Sequence, residues 1–313
     1  MAKRLLLGPI MILLLVGCLW LDQWLDGQHV PASLVPIFSA KVFGEARDTF
    51  PPGVIVLPLL IALVWVAARE LSSLLQSEKI AGSKRMLTTA AIAGLLVSCL
   101  VPTDMPATTV VGVMGTVSAL MLVIAMTFYS RHKTVEGVIA ATGGVLLSYV
   151  YLGIMAGFLL AIRREHSVLV LGWIVLTTKS CDIGAYFTGK AIGKHKLIPW
   201  LSPGKTWEGL AGGVVFSAAV GVAGLYLLGS RPHEGQPTSV PSWWIGALFG
   251  AVLGLTGQAG DLLESILKRD AGAKDSGKGI PGFGGVLDVL DSALLAAPVA
   301  FWWLHMMKAK GYF

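Results

Sequence analysis

The sequence predicts an all-α fold: a polytopic integral membrane helical bundle of about nine transmembrane helices with its N-terminus inside. Three observations carry this. Of 313 residues, 55% are apolar and only 13% charged, against roughly 25% charged in soluble domains. Mean hydropathy is +0.74. Most of the chain falls into apolar runs close to the roughly 20 residues that cross a bilayer. Together these exclude a soluble globule, a secreted disulfide scaffold, a disordered tail and a coiled coil. Transporter, channel, membrane enzyme and assembly factor stay open.

The predicted spans are about 5–21, 53–68, 86–102, 107–129, 136–162, 167–189, 207–229, 243–267 and 287–307. The first follows Lys3 and Arg4. Within it Leu15-Val16-Gly17-Cys18 resembles a bacterial lipoprotein cleavage site, but apolar character continues through Leu19, Trp20 and Leu21, which favours an uncleaved span. The second and third runs are short. The third and fourth are separated only by Pro102-Thr103-Asp104-Met105-Pro106, a turn punctuated by two prolines. Nine is the expected count and eight the alternative. With the N-terminus inside, sixteen Lys and Arg fall on the cytoplasmic side against seven outside, with Lys179 inside a span. That asymmetry sets the orientation and supports an odd number of crossings. The net charge of +6 then reads as membrane orientation rather than nucleic-acid binding. Cys18, Cys99 and Cys181 stand singly, so neither a disulfide framework nor a thiolate zinc site is supported. The chain is expected to divide into an N-terminal bundle, 1–165, and a C-terminal catalytic region, 166–313.

The eighteen acids differ by environment. Asp22, Asp26, Glu45, Asp48, Glu70, Glu78, Asp104, Glu136 and Glu165 lie in or at the edge of predicted loops and read as solvated. Asp182, Glu208, Asp261, Glu264, Asp288 and Asp291 lie within or at the ends of apolar segments, where an ionisable group costs a few kcal/mol unless paired, metal-bound or hydrated. The span directions bring all six to the cytoplasmic side. Asp261, Glu264, Ser265 and Lys268 share one helical face, and Asp288 and Asp291 are i, i+3 neighbours. Such a set suits a hard divalent cation. The competing reading is ion pairing between helices through Lys179, Lys268 or Arg269.

Two cytoplasmic loops flank these acids. In the first, Ser202 is the expected N-cap and Pro203 the first helical residue, which places free N–H groups near Lys205 and Thr206 as an anion site. Lys190, Lys194 and Lys196 in the same loop also fit a basic patch for lipid headgroups. The second loop, from Lys268-Arg269 through Lys274-Asp275 and Lys278 to Phe283-Gly284-Gly285, is dense in Gly and Lys. Glycine permits close backbone approach to phosphate and lysine supplies point charge. It lacks Walker spacing.

Taken together, these residues resemble the phosphatidate cytidylyltransferases, also called CDP-diglyceride synthetases. The resemblance runs from Gln258-Ala-Gly-Asp261-Leu-Leu-Glu264 and Ser265-Ile-Leu-Lys268-Arg269 through Lys274-Asp275, Pro281 and Gly284-Gly285 to Asp288 and Asp291. Asp182-Ile-Gly-Ala-Tyr186-Phe-Thr-Gly189 and Ser202-Pro203-Gly204-Lys205-Thr206-Trp207-Glu208-Gly209 precede it in the expected order. It is close over about 170–300. The family commonly has His at the position of Phe283 and Arg at that of Val289, so any phosphate-binding role of those residues is not carried over.

The resemblance implies transfer of CMP from CTP to phosphatidate. It implies Asp261 and Asp288 as metal ligands, with Asp291, Glu264 and Asp182 as additional acids. Lys205, Lys268, Arg269, Lys274 and Asp275 become the candidate catalytic residues, and Ser202, Thr206, Glu208, Ser265, Gly284 and Gly285 the candidate substrate-binding ones. The implied cofactor is Mg2+, with room for a second cation. The implied partners are CTP, phosphatidate and membrane lipid, with no nucleic acid and a homodimer allowed. The implied location is the bacterial inner (cytoplasmic) membrane with the site facing the cytoplasm. The rivals are a CTP-dependent lipid-alcohol kinase, a cation or proton transporter, and a catalytically silent assembly protein, the last suggested only by Phe283 and Val289.

Overall fold

The structure, a computed structural model, describes residues 2–31, 49–77, 80, 82–100, 106–131, 135–229, 242–277 and 284–309. The turn at 102–105, Lys278 and Phe283 lie outside the described residues. The helices are α1 (Ala2–Asp26), α2 (Val56–Ser77), α3 (Lys84–Leu100), α4 (Ala107–Ser130), α5 (Val138–Leu147) and α6 (Met155–Glu165). They continue as α7 (Val168–Ile192), α8 (Trp207–Gly229), α9 (Trp243–Asp270) and α10 (Leu287–Ala309). A π-helical segment, Ser148–Ile154, joins α5 to α6 as one rod. Between α7 and α8 a short antiparallel pair forms from β1 (Lys196–Ile198) and β2 (Ser202–Thr206), with Lys196 opposite Thr206 and Ile198 opposite Ser202.

Among the described residues, eight helices are long and apolar enough to cross a membrane, with α5 and α6 counted together. Helix α3 has 17 residues and a length of about 25 Å, at the lower limit for a span. Parity settles its role. The ion pair of Asp22 with Arg163 joins the ends of α1 and α6, which four crossings separate if α3 spans and three if it does not. Residues in contact must lie on one side of the membrane. The Ser83 amide donating to the Tyr129 hydroxyl and the Ser276 hydroxyl donating to Glu70 impose the same condition. Among the described residues α3 therefore counts as a ninth crossing beside those eight.

The chain divides into two compact units. The first comprises 1–168 and 270–289. In it Ser148 Oγ donates to the Leu87 carbonyl at 2.9 Å, seating the π-helical segment on α3. A buried ion pair holds the end of α6: Arg163 Nε lies 2.5 Å from Asp22 Oδ2, and the Asp22 carboxylate also accepts the amides of Gly53, Ile55 and Val56. This corrects the expectation that Asp22 and Glu70, at the edges of apolar runs, are solvated. Both are buried, because partners distant in sequence satisfy their oxygens.

The second unit comprises 169–269 and 290–313. In its core Phe249 packs against Trp173 and Trp303 with tilted rings, the centroids 4.7 and 5.6 Å apart. Here the expected cap of α8 is corrected. Ser202 to Thr206 pair with β1 as a strand, so Ser202 is not an N-cap and Pro203 is not helical. The cap is Thr206, whose Oγ1 accepts the Gly209 amide at 3.1 Å, three residues on as capping requires.

Candidate functional site

Four of the six intramembrane acids converge in the second unit. Asp182 comes from α7, Asp261 and Glu264 from α9, and Asp291 from α10. Gly260 makes the convergence possible: a Cβ there would stand 2.5 Å from the Asp291 carbonyl and 3.1 Å from Ser292 Cα. With only hydrogen at this position α9 and α10 approach closely. Asp261, Glu264 and Asp291 then each place one oxygen within 4.8 Å of the others. Opposite oxygens around an octahedral magnesium are about 4.2 Å apart, so this all-oxygen donor set fits a small hard divalent cation after a slight closure.

Lysines hold the same carboxylates. Lys205 Nζ lies 2.6 Å from Asp261 Oδ2, and Lys268 Nζ lies 2.6 Å from Glu264 Oε2 across one helical turn. Lys179 Nζ lies 3.3 Å from Asp291 Oδ1 and 3.8 Å from Asp182 Oδ2, and also donates to Ser292 Oγ. Gln258 donates to Asp182 Oδ1. Four carboxylates therefore face three ammonium groups, one net negative charge. Of these pairs Lys179–Asp291 joins two helices, Lys268–Glu264 lies within one and Lys205 reaches Asp261 from β2; with the charge so balanced, three carboxylate oxygens still stand close enough to share one ion.

A cavity of about 460 Å3 opens beside these acids, with Asp182, Asp261, Lys205, Thr206, Lys190 and Tyr186 in its wall. This size is typical of small-molecule sites. Its lining combines the ammonium groups of Lys190 and Lys205 and the hydroxyls of Thr206 and Tyr186 with the carboxylates of Asp182 and Asp261. The Glu208 carboxylate accepts the amides of Lys194 and His195 and lies 2.6 Å from His195 Nδ1. It fixes the β1–β2 hairpin, and so Lys205, against the start of α8. Ser202 is half-buried on β2, Ser265 half-buried on α9, and Arg269 exposed at its end.

The remaining predicted residues belong to the first unit. Lys274 and Asp275 are exposed in the turn after α9. Gly284 and Gly285 precede α10. Asp288 Oδ2 accepts the Ser276 amide at 3.1 Å, the Ser276 hydroxyl at 3.0 Å and the Gly285 amide at 2.7 Å, which closes the loop onto the helix start. Sequence reasoning left Gln258 and Ser292 without roles, and read Lys179 only as an ion-pair partner. For Lys179 a signal existed: it is the one Lys or Arg that falls inside a predicted span.

The sequence model of the cytidylyltransferase family matches residues 31–307. A phosphatidate cytidylyltransferase of Staphylococcus aureus is 42% identical over 156 residues, 49% of this chain and 55% of that protein. One of Mycobacterium bovis is 41% identical over 135 residues, 42% of this chain and 40% of its own length. An uncharacterized protein of Escherichia coli, YnbB, is 42% identical over 142 residues, 45% of this chain and 44% of its length. The alignments thus span about half the length of these relatives.

Proposed function

The chain belongs to the cytidylyltransferase family, and on that premise we propose that it transfers CMP from CTP to phosphatidate, giving CDP-diacylglycerol and pyrophosphate. What carries the reading is the pairing of Lys205 with Asp261 on the wall of the cavity, which puts a phosphate-binding cation against the acids. Relatives named phosphatidate cytidylyltransferase support the lipid acceptor.

A phosphatidate phosphate is already anionic at neutral pH, so its oxygen attacks the α-phosphorus of CTP without a strong base. The bond to the β-phosphate oxygen breaks and pyrophosphate leaves. The chemical problem is to hold two anions in line. Lys205 and Lys268 would neutralise phosphate oxygens on leaving their carboxylates, assisted by Arg269 and Lys274. Ser202 and Thr206 would donate hydrogen bonds, and Gly284 and Gly285 would allow close backbone approach. Ser265 and Glu208 would complete the substrate-binding set, and Asp275 the catalytic one.

A bound Mg2+ would be held by Asp261, Glu264 and Asp291 and would stabilise charge building on the phosphates. The sequence motif adds Asp288 and Asp182 as further acids, with capacity for a second cation. The excess of Lys and Arg on one side supports an inner-membrane protein whose site, in the region 166–313, faces the cytoplasm. The lipid headgroup would enter sideways from the inner leaflet.

Incubation with CTP labelled at the α-phosphate, together with phosphatidate and diacylglycerol as competing acceptors, tests this reading. Label should enter lipid only with phosphatidate and with release of pyrophosphate. Release of CDP with phosphorylated diacylglycerol would make the protein a kinase instead.

A further inference from the structure

We propose that Glu70, on α2 in the N-terminal half, is a positioning residue for the reaction: it sets the loop and helix start that carry Ser276, Gly285 and Asp288. This rests on the proposed function for the word reaction, while the structural hold is read from the contacts alone. The carboxylate of Glu70 is buried. Its Oε1 accepts the Val286 amide at 3.0 Å, and its Oε2 accepts the Leu287 amide at 2.9 Å and the Ser276 hydroxyl at 3.4 Å. These donors lie 206 to 217 residues away in sequence.

Val286 and Leu287 stand at the N-terminus of α10, where amides have no partner within the helix and a negative charge is favoured. Most helices receive such a cap from a neighbouring residue; here it comes from a helix near the other end of the chain. The Ser276 hydroxyl has one hydrogen and lies between two acids, 3.0 Å from Asp288 Oδ2 and 3.4 Å from Glu70 Oε2. Glu70 and Asp288 therefore grip the same loop. Gly285 fits this arrangement, since a Cβ there would lie 2.7 Å from Glu70 Cδ. A buried carboxylate is a costly way to cap a helix, and a local Ser or Asp would do so without one. The distant acid adds register: Ser276, next to Lys274-Asp275, and the helix start after Gly284-Gly285 that presents Asp288 are both tied to α2. This gives the N-terminal half a part in the chemistry.

Glu70→Gln keeps the volume but presents an amide group to backbone donors. Ser72→Ala is its control on the same helix, because Ser72 donates to the Gly82 carbonyl at 2.6 Å and, among the described residues, shares no hydrogen bond with Ser276, Gly285, Val286 or Leu287. In full-length protein, hydrogen exchange without substrates should accelerate about tenfold or more at Ser276, Gly285, Val286 and Leu287 in Glu70→Gln, as loss of a charged acceptor implies. Ser72→Ala should leave these amides unchanged. In the CTP and phosphatidate assay, kcat per folded molecule should fall roughly 10- to 100-fold for Glu70→Gln, the scale of a misplaced group. KM for CTP should stay within about threefold, because the cavity wall is built from other elements. Glu70→Asp, which keeps the charge, should fold and fall between wild type and Glu70→Gln. Unchanged loop exchange, or a kcat loss no larger than that of Ser72→Ala, overturns the proposal. If wild-type protein makes no CDP-diacylglycerol while loop exchange responds as stated, the proposed function fails and the hold of Glu70 on the loop stands.

Discussion

Replacing Lys205 with methionine should change two observables in opposite directions. The side chains of Lys205 and Asp261 are 18% and 31% exposed, and the pair contributes one of the three positive charges that face four carboxylates. An ammonium about 4 Å from a unit positive charge opposes it by about 4 kcal/mol at an effective dielectric of 20. Partial exposure and the lysine's freedom to swing away reduce this. About 1.4–2.8 kcal/mol should remain, equivalent to ten- to a hundredfold in affinity. Manganese binding to the nucleotide-free variant, followed by paramagnetic resonance, should therefore tighten by that factor. The kcat/KM for CTP should fall about 10²- to 10³-fold, the usual loss for one preorganised donor to developing charge. Lys190→Met removes a cavity-wall charge that no acid in the site pairs with, and should alter manganese affinity by less than about threefold. Manganese affinity that weakens or does not move in Lys205→Met would refute the reasoning, because Lys205 would then not share Asp261 with the cation.

Three further outcomes follow from the packing and the ion pairs. Gly260→Ala should separate α9 from α10 and weaken manganese binding at least about tenfold, since the new methyl would meet backbone rather than a movable side chain; a titration checks this. Arg163→Met should destabilise the protein by about 3–5 kcal/mol, because Asp22 is left charged and buried. Thermal unfolding should register that loss while kcat per folded molecule stays unchanged. Glu208→Gln should loosen the β1–β2 hairpin, seen as faster amide exchange at Lys194 and His195 and a raised KM for CTP.

The spans were legible because apolar runs interrupted by few charges report directly the cost of burying charge in lipid. The same logic made Asp182, Asp261, Glu264 and Asp291 stand out, and these four converge. It failed for Asp22 and Glu70, since an acid at the edge of an apolar run gives one signal whether it meets water or a partner. Their partners, Arg163 and the start of α10, lie 141 and 216 residues away, beyond any local pattern. The cap of α8 illustrates a different limit. Ser202-Pro203 and Thr206-x-x-Gly209 both read as helix starts, and only pairing of Ser202–Thr206 with Lys196–Ile198 selects the second. The short α3 was ambiguous by length, and contacts between distant helix ends resolved it by parity.

The most direct test of the central claim pairs wild type with Asp261→Asn in one assay. Purified protein with CTP labelled at the α-phosphate, phosphatidate and magnesium should form lipid-linked CMP and pyrophosphate in equal amounts. Asp261→Asn, folded by size exclusion and thermal unfolding, should form neither. Full turnover by that variant, or wild-type protein that leaves the label in CTP, would contradict the account.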